Sequence, residues 1–412
     1  MRRVKLRAVT RFEPEGFWSR LEGATAHLDP VFAVVDLGAL SYNAFDMVRR
    51  TAGKPIRIAT KSVRCRAVVE AVLAMPGYRG VLAYTLAEGL WLARTLDDVL
   101  DDVVVGYPSV DRASYQALGE SAELASRVTV MVDSLAQLDF IDAIAPPGKR
   151  EPIRVAIELD SSWDSRVLGH VGVWRSPVHS AWQARDLARA VAARQGFRLV
   201  GLMGYEAQVA GLGNAPAGKP LLGMAVRRIQ KASMSELYER RSLAVKAVRE
   251  IAELEFVNGG GTGSLEATAA DESVTEIAAG SGLFGPHLFD NYHHFKPVPA
   301  AAFVLPVVRK PSPDRATLLG GGWIASGPPG ADRVPQLVWP KGLRMVAREM
   351  AGEVQTPVTG PAASSLRVGD RVWARHTKAG ELSEHTNEFY VVDGDRVAEV
   401  MPTYRGEGKA FL

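Results

Sequence analysis

The chain has 412 residues, 47% of them hydrophobic, which is more than one ordinary domain needs to fill its core, so two domains are expected. Forty-nine Lys and Arg against 46 Asp and Glu leave a net charge of +3, and the basic residues are scattered, which points away from nucleic acid or an anionic membrane surface as a partner. No stretch reaches the roughly 18 apolar residues of a membrane span, the first thirty residues carry charges without an apolar signal core, and the single cysteine, Cys65, excludes an internal disulfide and a cysteine-cluster metal site; a soluble cytoplasmic protein is expected.

In chain order, residues 1–30 precede the run FAVVDL (32–37) and are expected to run beside a later β domain or to join it. From about residue 55 to 285 one rhythm repeats, a short β-branched run closing on polar or glycine residues and then a stretch of helical periodicity. Eight runs carry it: RIATKS (57–62), VLAYTLAEG (81–89), DDVVVGYPS (101–109), RVTVMVDS (127–134), IRVAIELD (153–160), RLVGLMGYEAQ (198–208), EFVNGGGTGS (255–264) and VTEIAAGSGLFG (274–285). Helices are expected between them, for example over Val63 to Met75 and Ser233 to Glu255. Apolar strands alternating with amphipathic helices predict a parallel sheet covered by helices, and eight units predict an α/β fold of the (β/α)8 TIM type over residues 31–290. The rival, an open doubly wound sheet, lacks its GxGxxG after the first strand. Beyond residue 290 short alternating runs such as TLLGGGWIASG (317–327), RVGDRVWARH (367–376) and EFYVVDGDRVAEVM (388–401), the last with a hairpin signal at Asp393-Gly394-Asp395, predict a C-terminal β domain over 291–412.

In such a barrel the residues that close the strands face the active site. Lys61 closes the first run, where partial desolvation suits an amine to Schiff-base chemistry; a lysine snorkelling to solvent is the plainer reading. Gly259-Gly260-Gly261-Thr262-Gly263-Ser264 closes the seventh run and Gly280-Ser281-Gly282 the eighth, where this fold usually holds phosphate. Glycine runs are also plain turns. An amine on strand one facing two glycine loops is the pair that a phosphorylated aldehyde cofactor needs.

These residues, together with IATKSVRC (58–65), MGYEAQ (203–208), VNGGGTGS (257–264), EIAAGSGLFGPHLFDNY (276–292), RHTKAGELSEH (375–385) and PTYRGEG (402–408), resemble the fold-type III pyridoxal-phosphate enzymes. These join an alanine-racemase-like barrel to a β domain, and the D-threonine aldolase and D-serine dehydratase-like (amino acid deaminase/aldolase) group looks most similar. The resemblance implies that Lys61 carries the cofactor, that Gly260, Gly261, Thr262, Gly280 and Ser281 hold its phosphate, and that Arg175 contacts the ring oxygen or the substrate carboxylate. It also implies that Tyr205, Glu206 and Gln208 border the ring and that Tyr292 and Tyr404 approach the phosphate; packing roles stand beside each of these.

Two features depart from the family. Where alanine racemases place an arginine near the phosphate loop stands Ala278, and GGGWIASG (320–327) is the nearest counterpart of their tyrosine motif, which disfavours alanine racemization. Where the aldolases and dehydratases place a metal-binding histidine with a cysteine or aspartate two residues later stands Pro402-Thr403-Tyr404-Arg405-Gly406. His376, Glu381 and His385 offer ligand types at no standard spacing, so a divalent metal is left open and hydrogen-bonding or solvent-facing roles are expected for them. The expected function is a pyridoxal-phosphate lyase, a dehydratase/deaminase or retro-aldolase acting on a small β-hydroxy D-amino acid through Lys61, in a homodimer. The alternatives are an amino acid racemase or epimerase and a non-catalytic carrier of the cofactor.

Overall fold

The computed structural model describes residues 4–328, 330–378 and 380–412; residues 1–3 of the segment expected over 1–30 lie outside the described residues. The chain forms two compact units, one of residues 47–61, 72–280 and 411–412, the other of 1–46, 62–71 and 281–410.

The first unit is a closed parallel barrel. Its strands are β2 (Ile56–Ala59), β3 (Tyr78–Ala83), β4 (Val103–Val105), β5 (Val128–Val132), β6 (Ile153–Glu158), β9 (Phe197–Gly204), β10 (Phe256–Gly259) and β11 (Glu276–Ala279), and β11 pairs back onto β2 through Ala278↔Arg57 and Ala279↔Ile58. Between β6 and β9 the chain makes an excursion through an antiparallel hairpin, β7 (Trp163–Ser165) and β8 (Gly169–Val171). All eight expected runs become barrel strands, most of their residues buried, as a wall packed on both faces demands. Val104, Met131, Ala156, Val200, Met203 and Phe256 form the apolar filling. Beside them Arg57 is fully buried, its guanidinium bonded to Glu276 at 2.6 and 2.8 Å and to Asp102 at 2.7 Å.

Two helix expectations need correction. The first helix spans Arg66–Leu73 and not Val63 to Met75, because the 3₁₀ turn Thr60–Ser62 and the positive φ of Arg64 (49°) delay its start. The second runs Pro220–Arg249, beginning thirteen residues before Ser233; Pro220 opens it at a position where a missing N–H costs nothing.

The second unit is built on a nine-stranded sheet. β1 (Phe32–Asp36) lies between β12 (Ala301–Ser312), to which it is antiparallel, and β18 (Glu388–Asp393), to which it is parallel. β13 (Arg315–Leu319), β14 (Gln336–Trp339), β15 (Arg344–Met345), β16 (Gln355–Thr359), β17 (Arg371–Arg375) and β19 (Arg396–Pro402) complete it. β18 and β19 form the expected hairpin, with Asp393 opposite Arg396 and Gly394 at φ 65° in the turn. FAVVDL therefore belongs to this sheet. The helix Phe17–Ala24 belongs to the same unit: Glu22 accepts from Arg371 at 2.9 Å, and the buried Trp373 packs against Phe32 and Trp18.

Candidate active site

Lys61 follows β2 in the 3₁₀ turn Thr60–Ser62, which is anchored where the Thr60 hydroxyl donates to the Leu82 carbonyl at 3.1 Å. Its Nζ donates to the hydroxyl of Tyr107 at 3.0 Å. Tyr107 stands two residues past β4, behind Gly106. A Cβ on Gly106 would lie 3.0 Å from the Leu82 side chain, so a glycine lets this strand end approach its neighbour.

Arg175 completes the group. Its guanidinium carbon lies 5.4 Å from the centre of the Tyr107 ring and 4.8 Å from that of Tyr205, and its Nη1 is 3.6 Å from Glu158 Oε1. A guanidinium sandwiched by aromatic faces is both attracted and oriented by them. The loop that carries it is tied down: the Ser176 hydroxyl donates to the Glu158 carbonyl at 2.6 Å, Asp160 N–H to the Val178 carbonyl at 2.8 Å, and Arg240 to the carbonyls of Asp160 and Ser162, each at 2.6 Å.

The charges in this group shift one another. Burial alone would raise the Tyr107 phenol, but the Lys61 and Arg175 cations outweigh it and hold the phenol below its ordinary value. Burial pushes the Glu158 carboxyl up to about 7, against the pull of Arg175 and with the nearby Asp133 carboxylate adding to the rise. Burial likewise raises Asp133 at the end of β5, and lifts the Tyr205 phenol to about 12.

The glycine loop after β10 joins the same neighbourhood. A Cβ on Gly261 would come within 2.9 Å of Ala210 Cβ and 3.1 Å of the Tyr205 ring, so a glycine lets the loop lie against that ring. Gly260, at φ 81°, donates its N–H to Glu206 at 3.0 Å, and Gly261 donates to the Ser264 hydroxyl at 3.1 Å. Glu206 is fully buried; Thr268 also donates to it, and Arg241 does so at 3.1 Å while bonding Asp271 with its other arm. Glu206 is thus the brace of the loop. After β11, Gly280 is as constrained, since a Cβ there would sit 2.2 Å from the Ala59 carbonyl oxygen.

The structure brings Lys61, Arg175, Tyr205, Gly260, Gly261, Thr262 and Gly280 to the strand ends of one barrel. Gln208 is engaged elsewhere: its amide donates to the Ser161 carbonyl at 2.7 Å and the Ser233 hydroxyl at 2.8 Å, fastening two loops to the long helix. Ser281, Tyr292 and Tyr404 fall in the sheet unit, Tyr292 buried among Phe289 and Phe295, and Tyr404 buried with its N–H donated to the Arg64 carbonyl at 2.8 Å. His376, Glu381 and His385 do not gather. His376 is buried edge-on to Phe284, contrary to a solvent-facing role, and burial drives its pKa down to about 3; Glu381 accepts from Ser326 at 3.1 Å; His385 stacks on Trp323. No group of three or more His, Cys, Asp or Glu able to hold a metal ion occurs among the described residues. Sequence reasoning missed Tyr107, Glu158 and Asp133, although all three close runs that it had delimited as strand ends.

A closed β/α barrel with an amine on its first strand and glycine loops on its last two, together with a sheet-rich second unit, defines the architecture of the fold-type III pyridoxal-phosphate enzymes. Residues 35–287 match the family model described as alanine racemase, N-terminal domain, and the chain belongs to that family. A D-threonine aldolase from an Arthrobacter species is 28% identical over 283 residues, a stretch that is 65% of this chain and 64% of that relative. The solved structure of D-threonine aldolase from Filomicrobium marinum superposes with a TM-score of 0.74 at 22% identity, covering 92% of this chain and 96% of the other. D-threo-3-hydroxyaspartate dehydratase from a Delftia species gives 0.69 at 19% identity, covering 91% and 97%. At these identities the two structures speak for the fold.

Proposed function

We propose that the protein is a pyridoxal 5'-phosphate-dependent lyase that cleaves or dehydrates a small β-hydroxy D-amino acid. The observation that carries the reading is the placement of Lys61, its amine at the end of the first barrel strand, beside an arginine held between Tyr107 and Tyr205, with Tyr205 in turn lying on the Gly261 loop. The relatives whose names read D-threonine aldolase and D-threo-3-hydroxyaspartate dehydratase supply the substrate class and the choice between aldol cleavage and elimination.

The residues fit the cofactor by chemistry. Lys61 supplies the amine for its aldehyde, the glycine loops, with the Gly260 and Gly261 N–H groups engaged by Glu206 and Ser264, supply the Thr262 and Ser281 hydroxyls and close backbone at Gly280 for its phosphate, and Arg175 supplies a fixed cation for its ring oxygen or for the substrate carboxylate. Tyr205 presents a flat face beside them, and Tyr292 and Tyr404 are assigned to the phosphate. Gln208 acts by holding the loop behind Tyr205. When bound, pyridoxal phosphate supplies the electron sink for bond breaking at the substrate Cα. Lys61 would hold the cofactor and, when displaced by the substrate amine, could serve as the base at Cα; Glu158, its carboxyl raised by burial, lies 3.6 Å from Arg175 and helps to orient it. The reading includes a homodimer in the cytoplasm; no helix among the described residues is long and apolar enough to cross a membrane.

Adding pyridoxal phosphate to the purified chain is expected to produce an absorbance band at about 420 nm that Lys61→Ala abolishes, and the loaded enzyme is expected to release acetaldehyde and glycine from D-threonine or pyruvate and ammonia from D-serine. No band, or a band that survives Lys61→Ala, overturns the cofactor assignment; a band without either pair of products overturns the lyase. Repeating the assay with Mn²⁺ or Zn²⁺ and with a chelator decides whether a metal takes part.

A further inference from the structure

Tyr107 flanks Arg175 in the reading above, and its hydroxyl also accepts from the Lys61 amine at 3.0 Å. Tyr238 of the same unit shows the contrast: it donates its hydroxyl to a backbone carbonyl, that of Ala267, at 2.5 Å. The Tyr107 hydroxyl faces an amine, and two cations stand over its ring, Lys61 Nζ 5.6 Å and the Arg175 guanidinium 5.4 Å from the centroid. Its position is fixed from behind, where the Gly106 N–H donates to the Ala83 carbonyl at 2.9 Å. The side chain is only partly buried, so it stands at the barrel mouth and not in the core.

We propose that Tyr107 is the acid–base partner of Lys61, storing the proton that the amine must lose before it can attack a carbonyl and returning it afterwards. An ammonium has no lone pair to offer. In the forward transfer an N–H bond of the Lys61 ammonium breaks, an O–H bond forms on the Tyr107 phenolate, and the electron pair stays on Nζ; the reverse transfer restores both charges, and nothing is oxidised or reduced. Arg175, standing across the ring, adds to the pull of Lys61 toward the phenolate. The titratable and charged groups that face Tyr107 are Lys61 from the turn after β2, Arg175 from the loop after β8, and Tyr205 after β9; the first two hold the phenol below its ordinary value. This inference rests on Lys61 being the cofactor lysine.

The test uses the full chain freed of cofactor. Absorbance at about 295 nm during a pH titration is expected to show one tyrosine ionising below the rest, missing in Tyr107→Phe and moved upward in Lys61→Ala. In stopped flow, capture of pyridoxal phosphate by Tyr107→Phe is expected to be slower than wild type by roughly 100-fold or more while reaching the same final band, which also shows that the variant site is folded. Capture at the wild-type rate across the pH range, together with a titration that Tyr107→Phe leaves unaltered, overturns the role of Tyr107 and leaves the cofactor assignment standing. A wild-type chain that forms no band, or a Lys61→Ala chain that forms one, overturns the cofactor assignment, and the acid–base role falls with it.

Discussion

Glu158 carries the largest consequence of burial at the barrel mouth. Its carboxyl is raised from about 4.5 in the unfolded chain to about 7 in the fold, so the stability linked to it is fully present below the ordinary carboxylate range and is lost as pH rises through about 7. The full linkage is on the order of 3 kcal/mol. Glu158→Gln is expected to erase that slope, so that urea unfolding at acid and at mildly alkaline pH gives free energies that differ less in the variant than in the wild type; equal slopes would show that Glu158 is charged and solvated in the fold. Legibility at this scale followed from whether a residue's partner is local. Lys61 was legible because a strand end is a position in a pattern. Tyr107 was not, since its meaning comes from an amine 46 residues away and it hides behind Gly106. Gln208 read as a ring neighbour because it closes a run, but its amide is spent on Ser161 and Ser233, contacts that no local pattern announces.

Among elements, the barrel was the most legible part of the chain, since a doubly buried parallel strand writes itself as an unbroken β-branched run. The hairpin Trp163–Val171 was not, being three residues a side and mostly polar, and the start of the long helix at Pro220 was obscured by the glycines and prolines just ahead of it. The closure of the barrel between β11 and β2 depends on an approach of backbones at Gly280, where a Cβ would lie 2.2 Å from the Ala59 oxygen. Gly280→Ala forces those strands apart at the turn that carries Lys61. The expected cost is about 1–3 kcal/mol of stability, with pyridoxal phosphate affinity weakened tenfold or more in a spectroscopic titration. A variant that binds the cofactor as tightly as wild type would show that the strand end adjusts freely.

For the whole molecule, two buried groups, one in each unit, respond to acid in opposite directions. In the barrel unit Glu158 favours low pH. In the sheet unit His376 stays neutral because burial, with Arg375 and His287 adding to it, holds its folded pKa near 3 against an ordinary 6.5, so its contribution is intact above 6.5 and is lost as pH falls. By pH 5 the loss is about 2 kcal/mol. Calorimetry between neutral and mildly acid pH is expected to show an acid-sensitive transition that His376→Phe makes less sensitive, and an unaltered pH profile in that variant would show that His376 is not the group responsible.

The sheet unit also has a history written into its strand order. β1 lies between β12 and β18, with Phe32 opposite Val304 and Val34 beside Tyr390, so the whole barrel is threaded between strands that end as neighbours. At ordinary rates of synthesis β1 leaves the ribosome some tens of seconds before either partner exists. During that interval FAVVD is an apolar strand with both edges bare, open to a chaperone or to another chain. The nascent chain is therefore most exposed to aggregation while its barrel is being made, and a slower barrel lengthens the wait for a sheet that has no part in making it.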